Sequence, residues 1–121
     1  MVRARSEDSL RLGTPSEQAD AFTRSHLSDG RVVGWHGGIG VVIDAELVDR
    51  PVPRALGTRF GVEDFWARWT RAECAAKLAN ESIVIWLRRH GLAPGPYSVT
   101  TLTDEPEPGI VVTLGRKAPF D

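Results

Sequence analysis

The sequence predicts an α+β domain, an antiparallel sheet with helices packed on one face, and three observations predict it. Residues 62 to 78, VEDFWARWTRAECAAKL, repeat apolar side chains at helical spacing. Two apolar runs, RVVGWH and IGVVIDAEL, surround Gly37-Gly38. Two β-branched runs, YSVTTLTD and IVVTLGR, flank a Glu-Pro-Glu-Pro-Gly turn, as the arms of an antiparallel hairpin do. Strand, strand, helix, helix, strand, strand is an order that segregates helices to one side of a sheet.

Residues 1 to 20 mix charge with Ser, Gly and Pro, which predicts a flexible leader, with one domain over 21 to 121. Strands are expected at about 31 to 36 and 39 to 46, joined as a hairpin because paired glycines supply the positive φ of a tight turn. The second strand is apolar on both faces through Ile39, Val41, Val42 and Ile43, which predicts a central position in the sheet. DRPVPRALGTRFG, with two prolines and two glycines, reads as a connection with a short turn at Arg54 to Leu56. In the long helix Val62, Phe65, Trp69, Ala72 and Ala76 share one arc facing a core, with acids Glu63 and Asp64 in the first turn. A second helix over Ser82 to His90 places Ile83, Trp86 and Leu87 on one side and stops at Gly91, after the terminal charges Arg88, Arg89 and His90.

At 121 residues the chain suits a single core, burying roughly two-thirds of the surface of the unfolded chain. The lone cysteine, Cys74, lies within the long helix and reads as a small buried side chain rather than a nucleophile. With 15 basic and 16 acidic residues the net charge is −1, so no basic field for nucleic acid is expected. The N-terminal stretch has no apolar signal region and no segment reaches membrane-spanning length, so a cytoplasmic protein without membrane attachment is expected.

Two acidic pairs carry the candidate chemistry. Asp44 and Glu46 stand two apart on a strand, so both carboxylates leave the same face, roughly 7 Å apart along the chain. Like charges at the end of a buried strand raise one another's pKa unless a cation lies between them, and a divalent metal is the economical explanation. The plain alternative is a solvated strand end. Glu73 and Lys77 lie one helical turn apart beside Trp66, at the margin of the apolar arc, where a carboxylate is partly desolvated. Their plain alternative is an ordinary surface pair contributing roughly 0.2 to 0.5 kcal/mol.

Ile43-Asp44-Ala45-Glu46, followed by Trp69-Thr70-Arg71-Ala72-Glu73-Cys74-Ala75-Ala76-Lys77, resembles the two signature motifs of the 4′-phosphopantetheinyl transferase superfamily. Ser25-His26, eighteen residues before Asp44, resembles the Ser-His element that precedes the metal motif in that family. The resemblance implies a phosphopantetheinyl transferase-like fold in which Asp44, Glu46 and Glu73 bind Mg²⁺. Ser25 and His26 would belong to the coenzyme A-binding element, with His26 on a phosphate, and Lys77 would contact the pyrophosphate. Glu46, Glu73 and Lys77 would form the catalytic set, with Glu46 relaying the proton of the incoming serine. The implied reaction moves 4′-phosphopantetheine from coenzyme A to a serine of an acyl or peptidyl carrier protein. Ala72 stands where the family has a lysine, Val41-Val42 where a glycine is expected, and the connection from Glu46 to Glu73 is short.

The chain resembles one half of the larger family members, so self-association or a partner chain completing the site is expected. Trp35 and His36 are candidates for that interface, against the simpler reading of a core tryptophan and a satisfied histidine. The alternative function is a non-catalytic member that binds a carrier protein or a partner transferase as a structural subunit.

Overall fold

The computed structural model describes residues 9–116; residues 1–8 of the predicted leader, and 117–121, lie outside the described residues. Among the described residues six strands and three helices follow in order. They are β1 (Leu10–Gly13), β2 (Thr23–His26), β3 (Val32–Trp35), β4 (Val42–Leu47), α1 (Arg54–Phe60), α2 (Phe65–Ala79), α3 (Ile83–His90), β5 (Ser98–Thr103) and β6 (Ile110–Arg116). The strands make two antiparallel three-stranded sheets, ordered β1-β3-β2 and β4-β6-β5. The α+β class and the closing β5-β6 hairpin agree with the sequence reading.

Alternation along β4 and β6 builds the layers. Ile43, Ala45, Val112 and Leu114 point to one side, where they pack with Leu10, Val33 and Trp35 of the other sheet. Val111 points to the opposite side and joins Phe65, Ala72, Ala76 and Trp86 of the helices. Helices therefore cover one face of the β4-β6-β5 sheet, and a second sheet covers the other. This corrects the expectation that β4 is central. Among the described residues it pairs only with β6 and is an edge strand, and β6 is central. The apolar character of both faces of β4 reports the layers above and below it rather than its rank in the sheet.

The predicted hairpin around Gly37-Gly38 is also corrected. β3 pairs with β1 and β2, and β4 pairs with β6, so residues 36–41 carry the chain from one sheet to the other. Neither Gly37 nor Gly38 has a positive φ. Gly37 is required because a Cβ there would collide with the Trp35 ring, which donates from Nε1 to Gly38 O at 2.8 Å. Part of the predicted leader is ordered structure: Leu10–Gly13 forms β1, Leu10 is buried, and the buried Gln18 side chain shares a 2.6 Å hydrogen bond with His36 Nε2. Trp35 is 5% exposed, so it is a core tryptophan beside a satisfied histidine.

Arg54–Phe60 is a helix of seven residues where a connection is expected, closed by Gly61 at φ 80. α2 begins at Phe65, not Val62, which is 67% exposed. Glu63 and Asp64 precede the helix, so its first turn holds no acid. Arg68 instead gathers the carbonyls of Phe60, Gly61 and Glu63 with its guanidinium, at 2.7 to 3.0 Å, and fixes the entry to α2. α3 matches the expected span, with Ser82 Oγ capping Ile85 N at 3.2 Å and Arg88, Arg89 and His90 in its last turn. No helix among the described residues is long and apolar enough to cross a membrane.

Candidate functional site

The site forms where α2 crosses β4. Two rows of α2 are buried. Phe65, Ala72 and Ala76 join the cluster that holds Trp86 and Leu87 of α3, while Thr70 and Cys74 bond Thr113 of β6. α2 runs antiparallel to β4, since Trp66 meets the Arg50 end and Lys77 meets Ile43 and Asp44. Gly115 of β6 permits this approach: a Cβ there would lie 3.2 Å from both Cys74 Cβ and Leu78 Cδ1. A buried hydroxyl chain adds polar anchorage, with Thr70 Oγ1 2.8 Å and Thr101 Oγ1 2.9 Å from Thr113 Oγ1.

Asp44 is the centre of the arrangement. Its register partner is Thr113, whose hydroxyl bonds Thr70 of α2, so alternation turns the Asp44 carboxylate to the helical face. Lys77 Nζ donates to Ile43 O at 2.8 Å and to Asp44 Oδ1 at 3.3 Å. Ser25 approaches from β2. Its Oγ accepts from Ala45 N at 2.9 Å and can donate its one proton either to Asp44 Oδ1, 3.4 Å away, or to Ala45 O, 3.5 Å away. Burial pushes the Asp44 carboxyl up to about 7; Lys77 opposes that rise, and Glu73 and Glu46 add to it by repulsion.

Glu73 is half-buried, and burial raises its carboxyl above the ordinary value while Lys77 pulls it down. Its carboxylate makes no hydrogen bond among the described residues, so it is free to accept a cation. Cys74 is fully buried and donates to Thr113 O at 3.2 Å. Burial raises its thiol far above the range in which a thiolate forms, with Asp44 adding to the rise, as expected of a packing residue.

Glu46 leaves the same face of β4 as Asp44 but is engaged differently. Its Oε2 accepts from Leu47 N at 3.1 Å, and its Oε1 is ion-paired with Arg50 Nη1. His26, next to Ser25 at the end of β2, is exposed and makes no hydrogen bond among the described residues. The structure thus brings Ser25, Asp44 and Lys77 together, sets Glu73 beside them, ties Glu46 to Arg50 and leaves His26 outside the cluster.

Arg50 is the residue that sequence reasoning missed. Its signal was its place four residues after Glu46 across a turn, which is weak because extended and turn geometries give no fixed side-chain pairing. Ala72, the position of a lysine in the family motif, is fully buried against the helical core, where an ammonium has no solvent and no partner.

Among the described residues no three acid, histidine or cysteine side chains converge into an all-protein metal cage. Mg²⁺ does not need one, because it takes one or two carboxylates and completes its shell with water and substrate phosphate. Asp44 and Glu73 fit that donor set. Both are hard oxygen ligands held above the ordinary range by burial, and two cationic side chains, Lys77 and Arg50, already stand against the acids of this face. No family model, curated protein or solved structure matches this chain, and the reading of the site rests on its own residues and geometry.

Proposed function

We propose that the protein is a small Mg²⁺-dependent 4′-phosphopantetheinyl transferase, acting on an acyl or peptidyl carrier protein with coenzyme A as donor. One observation carries the reading. Three sequence elements that resemble the family motifs, lying at 25, 44 and 77, meet at a single carboxylate, with Ser25 Oγ 3.4 Å and Lys77 Nζ 3.3 Å from Asp44 Oδ1. Nothing in local secondary structure requires that meeting.

In this reading Asp44 and Glu73 would hold Mg²⁺, with Glu46 joining them once it leaves Arg50, and the ion would neutralise charge building on the leaving phosphate. Lys77 gives the pyrophosphate a compact positive charge on a flexible stem. Ser25 is buried, and it orients Asp44 and ties β2 to β4 rather than meeting the coenzyme itself. His26 is exposed at the neighbouring strand end and is available to a phosphate outside the acid cluster. The carrier's serine oxygen bonds to the phosphorus bearing pantetheine, the bond from that phosphorus to the bridging oxygen breaks, and adenosine 3′,5′-bisphosphate leaves. Glu46 receives the serine proton.

Calorimetric titration of coenzyme A with Mg²⁺, repeated with a chelator, tests the site without knowledge of the carrier. Metal-dependent binding is expected, with Glu73→Ala abolishing it while the circular dichroism spectrum is retained. Apo carrier proteins should then gain phosphopantetheine by intact mass. Unchanged affinity in Glu73→Ala would remove the proposed site.

A second reading is a non-catalytic subunit that binds a carrier protein or a partner transferase. The pairing of Glu46 with Arg50 and of Asp44 with Lys77 favours it, since each acid then has an internal counter-charge. Absence of coenzyme binding at millimolar concentration selects this reading.

A further inference from the structure

The turn that ends β4 folds Arg50 back over the acid the strand has just placed. Arg50 N donates to Leu47 O at 3.2 Å and closes the turn. Trp66 of α2 then grips Arg50 at two points: its Nε1 donates to Arg50 O at 2.7 Å, and its ring lies 4.8 Å beneath the guanidinium carbon. From there Arg50 Nη1 reaches Glu46 Oε1.

The two partners differ in burial. The Glu46 side chain is 8% exposed and that of Arg50 is 41% exposed. A charge so buried needs a partner, and the guanidinium supplies one. Because Trp66 holds the backbone of Arg50, its half-exposed side chain can rotate away from Glu46 without moving the turn. Lys77, a second cation on this face, is committed to Asp44 and Ile43 O.

We propose that Arg50 is a built-in counter-ion of Glu46 that a divalent cation displaces, so that metal and guanidinium compete for one carboxylate. The inference rests on the transferase reading in one respect, that Glu46 is a ligand of the divalent cation. Two positive charges on the same oxygen of a buried carboxylate repel, so the two occupancies oppose one another. A displaced guanidinium remains tethered at the mouth of the site, where phosphate oxygens suit its planar fork.

The test is calorimetric titration of Mg²⁺ alone into the wild-type protein, Arg50→Gln and Arg50→Lys, with tryptophan emission followed in parallel. Arg50→Gln is expected to bind Mg²⁺ roughly five- to tenfold more tightly than wild type, with Arg50→Lys between them. In wild type, Mg²⁺ should change the emission as the guanidinium leaves the Trp66 ring, and Arg50→Gln should lack that change. Equal affinity in wild type and Arg50→Gln would overturn the competition and leave the metal site standing. Weaker binding by Arg50→Gln would overturn it too, because Arg50 would then support the site. Mg²⁺ binding to wild type with no change in emission would contradict displacement independently of the variants. Failure of all three proteins to bind Mg²⁺ would overturn the competition, while the transferase reading stands or falls separately on the coenzyme A titration.

Discussion

Asp44 binds its proton more tightly in the folded protein than in the unfolded chain, because burial raises its carboxyl from 3.8 to about 7. A group whose folded pKa is raised stabilises the fold fully below its unfolded pKa, and that contribution is lost as pH rises through the folded value. Metal-free protein should therefore lose stability between about pH 4 and pH 7 through Asp44, with Glu73 acting in the same direction. Asp44→Asn removes the ionisation and keeps a polar side chain beside Ser25 and Lys77. In chelator, urea unfolding should find Asp44→Asn more stable than wild type by roughly 1–3 kcal/mol near pH 8, with the difference shrinking towards zero near pH 4. A difference that does not vary with pH would show that Asp44 is not held neutral by the fold. Mg²⁺ should act in the opposite sense to the high-pH loss, since it binds the ionised form.

At the scale of the element, α2 is what joins the acids of β4 to a cation, and its closeness to the sheet depends on Gly115. The absent side chain lets Cys74 and Leu78 lie over β6, and this in turn lets Lys77 reach Ile43 O at 2.8 Å. Gly115→Val should overpack this contact at a cost of about 1–3 kcal/mol, and Gly115→Ala should cost less. Lifting α2 should also weaken Mg²⁺-dependent coenzyme binding in the variant that still folds, measured by denaturant midpoint and calorimetry on the same preparations. An unchanged midpoint in Gly115→Val would mean that α2 does not rest on β6 as tightly as Gly115 implies. The hydroxyl chain through Thr113 and the grip of Trp66 on Arg50 O secure the rest of the helix.

For the whole molecule, the two sheets and the helical layer leave the Lys77 end of the site open. Beside Lys77 lies an apolar depression lined by Ile39, Val41, Val42 and Leu78, with Arg116 at its edge, and Ile39 is 82% exposed. An acid cluster with an apolar margin suits a site completed by a second protein surface. Trp35 and His36 no longer qualify as that surface, because both are engaged within the chain. Light scattering should find the protein larger than a monomer, and Ile39→Asp should shift it towards monomer and weaken coenzyme binding together. A monomer with full coenzyme affinity would contradict a shared site.

The sequence by itself determined the α+β class, the extent of α3, the closing hairpin and the burial of Cys74, because each rests on periodicity or capping among near neighbours. It also marked Ser25, Asp44, Glu73 and Lys77, whose types and spacing are visible without coordinates. Only the tertiary structure decided which strands pair, since a glycine-rich crossing between sheets and a hairpin turn have the same local composition. It alone made β4 an edge strand with two covered faces, because burial on both sides records layers and not order. It alone turned Glu46 towards Arg50, Asp44 towards Lys77 and Ala72 into the core. Those outcomes depend on how α2 lies across β4, a contact between segments some thirty residues apart that no local pattern encodes.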